Sequence, residues 1–204
     1  MPENDKFFSV NIREYLALGS DEEAGEPALV ELLSGFSCPK NLDVERFLKK
    51  SAIEFTKKNQ SVTYLVVSAE DVRLLGYFTL ALKPLTVRGE MVSNTTKKKL
   101  LRVSELDEKS DTYTMSAYLV AQLGKNFSEN GENEITGEEL LKLAWDKIKE
   151  MQYLGGGMVT FLEAENEEKL LSFYRHNRFS QFDTRHTTSN TDGPHELVQL
   201  LRLL

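Results

Sequence analysis

An amphipathic pattern at residues 136–151 constrains the fold of this chain more than any other feature. It begins with Thr136 and Glu139, which have the spacing of a capping box at a helix N-terminus. The apolar residues that follow recur every three or four positions and form one face: Leu140, Leu141, Ala144, Trp145, Ile148 and Met151. Strand patterns flank this helix at residues 114–123 and 158–163. The region is therefore predicted to be a strand, a loop, a helix and a second strand.

Shorter patterns predict the remaining elements. Apolar runs indicate further strands at residues 7–12, 62–67, 74–82, 179–184 and 197–203, and helical spacing indicates helices at 27–35, 43–58 and 166–177. Strands 62–67 and 74–82 are predicted to form an antiparallel hairpin that ends at Pro84. Asn166 and Asn177 are expected to cap the last helix at its start and end.

The order of these elements predicts an α/β (α+β) fold with one mixed, mostly antiparallel, twisted sheet of about six or seven strands and about four helices. The 204 residues are expected to form a single domain, 1–204. Residues 1–25 are a polar N-terminal segment. Residues 86–112 are expected to be an irregular excursion between strands, and loops of that length are often functional.

The charge of the chain argues against nucleic acid as its default partner. Asp and Glu outnumber Lys and Arg by 32 to 25, and phosphate contacts need cations. The segment 86–104 is an exception, because it holds five cations (Arg88, Lys97, Lys98, Lys99 and Arg102) against one carboxylate, Glu90. Such a lysine run is more often a solvated surface than an anion site.

Several other classes are disfavoured by what the sequence lacks. A single cysteine, Cys38, fits a reducing compartment, and we expect a cytoplasmic location. No membrane association is expected, because no apolar run approaches about 18 residues. The three histidines, His176, His186 and His195, have no metal-ligand spacing, so no metal is expected.

Two features can carry chemistry, and each also has a structural explanation. A helix N-terminus that follows a strand presents free N–H groups and binds phosphate, but Gly137 is its only glycine and Glu138 and Glu139 follow. On spacing alone, a structural capping box is the better interpretation. Tyr174 lies on the apolar side of its helix, where periodicity alone favours a core residue.

Two stretches nevertheless resemble the GCN5-related N-acetyltransferase (GNAT) superfamily. Gln122-Leu-Gly-Lys-Asn126 followed by Ile135-Thr-Gly-Glu-Glu-Leu-Leu141 is similar to the strand, loop and helix that hold acetyl-CoA in that family. The stretch from Asn166 through Phe173-Tyr174 to Asn177-Arg-Phe179 is similar to its Asn, Phe-Tyr and Asn-Gly-Phe pattern. Two departures are plain. The stretch equivalent to the family's loop, Glu132 to Gly137, keeps only the last glycine and lacks the flanking basic residue. Arg178 replaces the glycine of Asn-Gly-Phe.

The resemblance implies direct transfer of an acetyl group from acetyl-CoA to a primary amine. It assigns Tyr174 as the general acid that protonates the departing thiolate. It assigns the cofactor to Leu123, Gly124, Lys125, Ile135, Thr136, Gly137, Glu138, Glu139 and Asn166, with a backbone N–H near Leu123 to Lys125 polarising the carbonyl. Glu90, Glu163 and Glu165 are unranked candidates for the base.

The acceptor is left open by the sequence. The first hypothesis is a small-molecule or protein amine. The alternatives are a GNAT-type toxin that acetylates aminoacyl-tRNA, which the basic segment 86–104 favours, and a non-catalytic acyl-CoA-binding or interaction module, which the altered loop favours. The family also implies a homodimer.

Overall fold

The structure is a computed structural model that describes residues 6–128, 134–189 and 193–204. Glu132 and Asn133 of the predicted cofactor loop lie outside these residues. The strands are β1 Phe7–Asn11, β2 Val62–Ser68, β3 Leu74–Arg88, β4 Glu105–Asp107, β5 Thr112–Lys125, β6 Val159–Glu165, β7 Ser180–Ser189 and β8 Gly193–Leu203. The α-helices are α1 Ile12–Leu16, α2 Glu26–Ser34, α3 Leu42–Lys50, α4 Ala52–Lys57, α5 Asn94–Leu100, α6 Gly137–Gly155 and α7 Glu168–His176.

The strands form one mixed sheet in the order β1-β2-β3-β5-β6-β8-β7, and β4 pairs with β5. β5 and β6 pair in parallel through Tyr118↔Thr160 and Leu119↔Phe161. The ladders of β1 with β2, β2 with β3, β4 with β5, β6 with β8 and β7 with β8 are antiparallel. This confirms the predicted fold class. The described residues contain eight strands and seven helices, more than the sequence patterns indicated.

The chain divides into two compact units, and the expectation of one domain over residues 1–204 stays a prediction. Unit 1 consists of residues 1–81 and 120–147. Its core packs α2 to α4 and the loop after α2 against β2 and β3, and its fully buried side chains include Leu29, Phe36, Leu48, Leu65 and Tyr77. Helix α2 has Pro27 in its first turn and ends at Ser34 with Gly35 as its C-cap, close to the predicted range 27–35.

Unit 2 consists of residues 82–119 and 148–204. Its core draws on β3, α5, β5, β6, β7 and β8, with Val87, Leu100, Ala117, Val159 and Phe182 almost fully buried. Val159 and Phe161 are two residues apart on β6 and both belong to this cluster, as the period of a strand requires. Gly156 and Gly157 have positive φ values of 73° and 99°, and they turn the chain between α6 and β6.

Two predicted boundaries are wrong. Pro84 does not end its strand, because β3 continues to Arg88. The register of β2 with β3 ends at Leu80, so the N–H that proline lacks removes no bond between these two strands. The helix expected at 43–58 is two helices, because α3 ends at Lys50 and α4 begins at Ala52.

The expectation that residues 86–112 are irregular is also wrong. They complete β3, form a 3-10 turn at Gly89–Met91, and then form α5 and β4. Ser93 caps α5 by accepting a hydrogen bond from the Thr96 nitrogen at 3.2 Å. Only Leu100 of α5 is buried, so this helix has no apolar stripe that periodicity could detect.

Candidate functional site

The N-terminus of α6 is closed by a complete capping box. Thr136 donates from its nitrogen and from its hydroxyl to Oε2 of Glu139, both at 2.7 Å, and the Glu139 nitrogen donates to the Thr136 hydroxyl at 3.1 Å. These bonds, the backbone one foremost, lower the pKa of Glu139. The predicted capping box is therefore confirmed, and the Glu139 carboxylate is committed to it.

Two backbone donors stay free at this helix start. The Leu140 nitrogen donates to the Thr136 carbonyl at 3.1 Å and the Glu139 nitrogen to the Thr136 hydroxyl. Within residues 6–128, 134–189 and 193–204, the N–H groups of Gly137 and Glu138 have no acceptor. Two parallel donors at the positive end of a 19-residue helix can bind one anionic oxygen group.

Two basic side chains lie near this helix start, although no basic residue flanks it in the sequence. Lys6 and Lys125 both contribute to lowering the pKa of Glu139 by charge attraction. The Lys125 ammonium lies 5.7 Å, and that of Lys40 4.5 Å, from the ring centroid of Phe127. Lys6 lies far from α6 in sequence, so no spacing rule could have found it.

The end of β5 presents its backbone donors alternately to two sides. The Asn126 nitrogen donates to the Leu75 carbonyl of β3 at 2.8 Å. The Gly124 carbonyl lies 2.8 Å from where a Cβ on Gly76 of β3 would lie, so Gly124 also faces β3. Because backbone groups alternate along a strand, the N–H groups of Leu123 and Lys125 point away from β3. They are the two donors available to polarise a carbonyl.

Gly124 is required by packing. A Cβ there would lie 2.5 Å from Cγ1 of Val44, 3.0 Å from the Tyr77 ring and 3.3 Å from the Phe36 ring. The Tyr77 hydroxyl in turn donates to the Val44 carbonyl at 2.6 Å. α3 and β5 therefore approach so closely at Gly124 that no side chain fits.

Asn126 was not predicted as a site residue, yet it fixes the chain just after β5. Its side chain is 3% exposed. Oδ1 accepts from the nitrogens of Ser37 and Ser128 at 2.9 and 3.1 Å, and Nδ2 donates to the Leu74 carbonyl at 2.8 Å. An asparagine at a strand end is too common a feature to have indicated this role.

Ile135 and the residue before it are also held by unit 1. The Ile135 side chain is fully buried. Glu134 forms an ion pair with Arg73 at 2.6 Å. The last residues of the loop before α6 are thus held by one buried side chain and one ion pair, although only Gly137 of the family's glycine pattern remains.

In unit 2, Tyr174 lies on the buried face of α7. It is 7% exposed, and its ring makes edge-on contacts with Phe173 and Phe179, at centroid distances of 5.1 and 5.8 Å. In the part of the chain that the structure describes, its phenol has no hydrogen-bond partner. Burial raises the pKa of Tyr174 to about 12, so the phenol is neutral at physiological pH.

The helix that carries Tyr174 begins and ends differently from the prediction. α7 starts at Glu168 with Glu167 as its N-cap, so Asn166 does not cap it and stays exposed. At the other end Asn177 has a φ of −84°, and the left-handed residue is Arg178, with a φ of 66°. The Asn177 side chain donates instead to the Phe173 carbonyl at 2.9 Å. The predicted left-handed cap is therefore one residue too early.

The three carboxylates considered as bases differ in their surroundings. Glu163 accepts from Arg185 at 2.6 Å through one oxygen and from Gln199 at 2.8 Å through the other. Both oxygens are thus engaged, which disfavours Glu163 as a base. Glu90 is exposed and 3.3 Å from Arg88, and Glu165 is partly buried at the end of β6.

The cations of the segment 86–104 are only partly neutralised. Arg88 pairs with Asp183 at 2.9 Å, and Lys97 pairs with Asp111 at 2.8 Å. Lys98, Lys99 and Arg102 are exposed and form no ion pair with any other described residue. No three potential metal ligands cluster in the described ranges, and no helix there is long and apolar enough to cross a membrane.

The sequence matches no protein-family model and no curated protein. Solved structures do match over nearly the whole chain. A tyrosine-to-phenylalanine mutant of KacT has a TM-score of 0.62 at 20% identity, over 98% of this chain and 95% of that one. AtaT complexed with acetyl-methionyl-tRNAfMet has a TM-score of 0.59 at 16% identity, over 94% and 93%.

A third match is a tyrosine-to-phenylalanine mutant of the toxin AtaT bound to the C-terminus of the antitoxin AtaR and acetyl-CoA. Its TM-score is 0.59 at 16% identity, over 98% of this chain and 94% of that one. Similarity at this level of identity establishes that this chain shares the fold of these proteins.

Proposed function

We propose that this protein is an N-acetyltransferase that moves an acetyl group from acetyl-CoA to a primary amine. The observation that carries the proposal is the buried phenol of Tyr174, which has no hydrogen-bond partner among the described residues, in a fold shared with a toxin solved together with acetyl-CoA. Acetyl-CoA, when bound, supplies an acetyl group activated as a thioester.

The residues of unit 1 fit the phosphates of that cofactor. The N–H groups of Gly137 and Glu138 bind pyrophosphate oxygens, and Lys125 and Lys6 balance the negative charge. Glu139 does not oppose this, because its carboxylate is held by Thr136. The N–H of Leu123 or Lys125 polarises the thioester carbonyl. Asn166, exposed before α7, remains a predicted cofactor contact.

Tyr174 acts on the leaving group. The amine nitrogen forms a bond to the carbonyl carbon while the bond from that carbon to sulfur breaks. The Tyr174 hydroxyl gives its proton to the sulfur, and the amine loses one proton to Glu90, Glu165 or water. A neutral phenol is required for this step, and burial keeps it neutral.

Tyr174→Phe tests the acid. We expect acetyl-CoA to bind as in wild type, as measured by calorimetry, while kcat falls about 10²-fold. Tyr153→Phe, the same change at an exposed tyrosine, is the control and should not alter kcat. A Tyr174→Phe enzyme with the turnover of wild type would refute the assignment. Cofactor binding without turnover of any amine by wild type would favour the non-catalytic module.

Gly137→Pro tests the helix start. Proline is tolerated in the first helical turn but removes one of the two free N–H groups. We expect it to weaken acetyl-CoA binding about tenfold. Gly137→Ala keeps the N–H and is the matched control. Equal affinities of the two variants would mean that this N–H does not bind the cofactor.

We further propose that the acceptor amine belongs to an aminoacyl-tRNA. AtaT, one of the proteins of shared fold, was solved with acetyl-methionyl-tRNAfMet. Lys98, Lys99 and Arg102 give unit 2 an unneutralised basic surface despite the acidic chain. Acetylation of aminoacyl-tRNA should exceed that of the free amino acid amide and fall steeply with salt. Equal rates of acetylation of the aminoacyl-tRNA and of the free amide would favour a small amine as the acceptor. The homodimer stays a prediction, which the molar mass from light scattering would test.

A further inference from the structure

Unit 2 contains a cavity of about 370 Å³ that none of the steps above uses. Its polar lining consists of Arg178, Arg202, Ser93, Thr96, Ser180 and Gln181, and the rest of the lining is apolar. No carboxylate is among the residues that line it. Two guanidinium groups together with hydroxyl and amide donors form a lining that attracts an anion and repels a cation.

The two arginines face the same space. Arg178 is close enough to Arg202 to lower the pKa of Arg202 by charge repulsion, in addition to the larger effect of burial. Arg202 is anchored by donating from Nη1 to the Asn177 carbonyl at 3.2 Å. The Arg178 guanidinium is exposed and forms no ion pair within the described ranges. An anion between the two groups would relieve their mutual repulsion.

The backbone of Arg178 is strained. Its φ of 66° lies in the left-handed region, where glycine is at ease and a long side chain is not. This φ closes the end of α7, where the Phe179 nitrogen donates to the Tyr174 carbonyl at 3.0 Å. It also places the Arg178 guanidinium on the wall of the cavity.

We propose that this cavity binds a phosphate group of the RNA acceptor. The inference rests on the proposed aminoacyl-tRNA substrate. RNA is favoured over a small phosphorylated molecule because Thr96 of the cavity belongs to α5, and the unneutralised Lys98 and Lys99 lie on the same helix. One lining residue of the cavity therefore belongs to the helix that carries these lysines, and a row of cations suits a chain of phosphates.

Arg178→Gly and Arg178→Gln test the site by the affinity for aminoacyl-tRNA over a series of salt concentrations. Both should lose about tenfold in affinity and reduce the slope of log K against log salt by about 1. Arg178→Gly should also raise Tm by about 2 °C, because it relieves the backbone strain. A loss of RNA affinity therefore cannot be ascribed to misfolding. Lys99→Gln, which removes the same charge outside the cavity, should weaken binding less.

The outcomes separate this inference from the proposed function. Dependence of RNA binding on Arg178 without acetylation of the RNA supports the cavity and refutes the acceptor. Acetylation of RNA that Arg178→Gly leaves unchanged, or an equal loss with Lys99→Gln, overturns the cavity. Binding of inorganic phosphate that depends on Arg178, with RNA binding that does not, also overturns it, because the ligand would then be a small molecule.

Discussion

The carboxylate of Glu139 accepts both hydrogen-bond donors of Thr136, the residue just before helix α6. Thr136 contributes the cap of the longest helix in the described residues, which spans 19 residues. Among the described residues, two neighbouring N–H groups, those of Gly137 and Glu138, are left without an acceptor. Stability and the anion binding that we propose therefore depend on different donors of one helix turn.

Thr136→Ala should lower the free energy of unfolding by about 1 kcal/mol, because the Glu139 nitrogen loses its acceptor. Thr136→Ser keeps the hydroxyl and should lose much less. Urea unfolding of the three proteins at neutral pH measures the difference. A Thr136→Ser protein as destabilised as Thr136→Ala would show that the methyl group, and not the hydroxyl, is responsible.

Stability should decrease in acid through Glu139. Its pKa is lower in the folded protein than in the unfolded chain, so the stabilisation is complete above the unfolded value, 4.5, and is lost as the pH falls through the folded value. Glu139→Gln retains a capping partner without a charge. The stability difference between wild type and this variant should be constant near about pH 7 and shrink below about pH 4.5. A pH-independent difference in urea unfolding would contradict this.

Gly124→Ala should destabilise the protein by about 1 to 3 kcal/mol, because the new methyl group would overlap Val44. Gly155→Ala is the control. A Cβ at Gly155 meets nothing within 4 Å, and its change should be neutral or slightly stabilising. Thermal unfolding of both proteins decides. If Gly124→Ala melts with wild type, α3 does not pack against β5 as described.

Asn126→Ala should destabilise by about 3 kcal/mol. It removes three hydrogen bonds and leaves the Ser37 nitrogen and the Leu74 carbonyl without their partner. Asn126→Asp keeps the acceptor but loses the donor to Leu74, and we expect a similar loss because the site is buried. Denaturant midpoints compare the two with Asn41→Ala, which removes only a helix cap.

The rate of acetyl transfer should not decrease on the alkaline side up to about pH 10. The pKa of Tyr174 is about 12, so the phenol stays protonated and able to act as an acid. The rate should instead rise with pH as the acceptor amine becomes neutral. A decrease with a midpoint near about pH 9 that Tyr174→Phe abolishes would mean that the phenol is not buried in the active enzyme.

The sequence was sufficient to predict an element wherever the pattern that defines it lies within that element. The regular spacing of the apolar residues and the capping box predicted the start of α6 to within a residue. Pro27 and Gly35 indicated the two ends of α2. The fold class followed from the order of such elements. The parallel pairing of β5 with β6 could not be derived from periodicity, and only the structure shows it.

Contacts between distant residues were beyond the sequence. Pro84 was predicted to end its strand because proline cannot donate to a neighbouring strand. The pairing of β2 with β3 already ends at Leu80, which the sequence does not reveal, so β3 can continue through Pro84. α5 was missed because a single buried residue, Leu100, anchors it. Lys6, whose charge acts on Glu139 of α6, is more than 100 residues away along the chain. The strain at Arg178 is a property of φ that residue type alone does not reveal.

The single cysteine, Cys38, is 5% exposed in the core of unit 1, and burial raises the pKa of its thiol. It cannot react with a thiol reagent until the chain around it opens. The rate of modification by such a reagent therefore reports how often unit 1 opens around Cys38. Adding acetyl-CoA should slow the modification of Cys38, and this change would report cofactor binding by the native protein without an attached label.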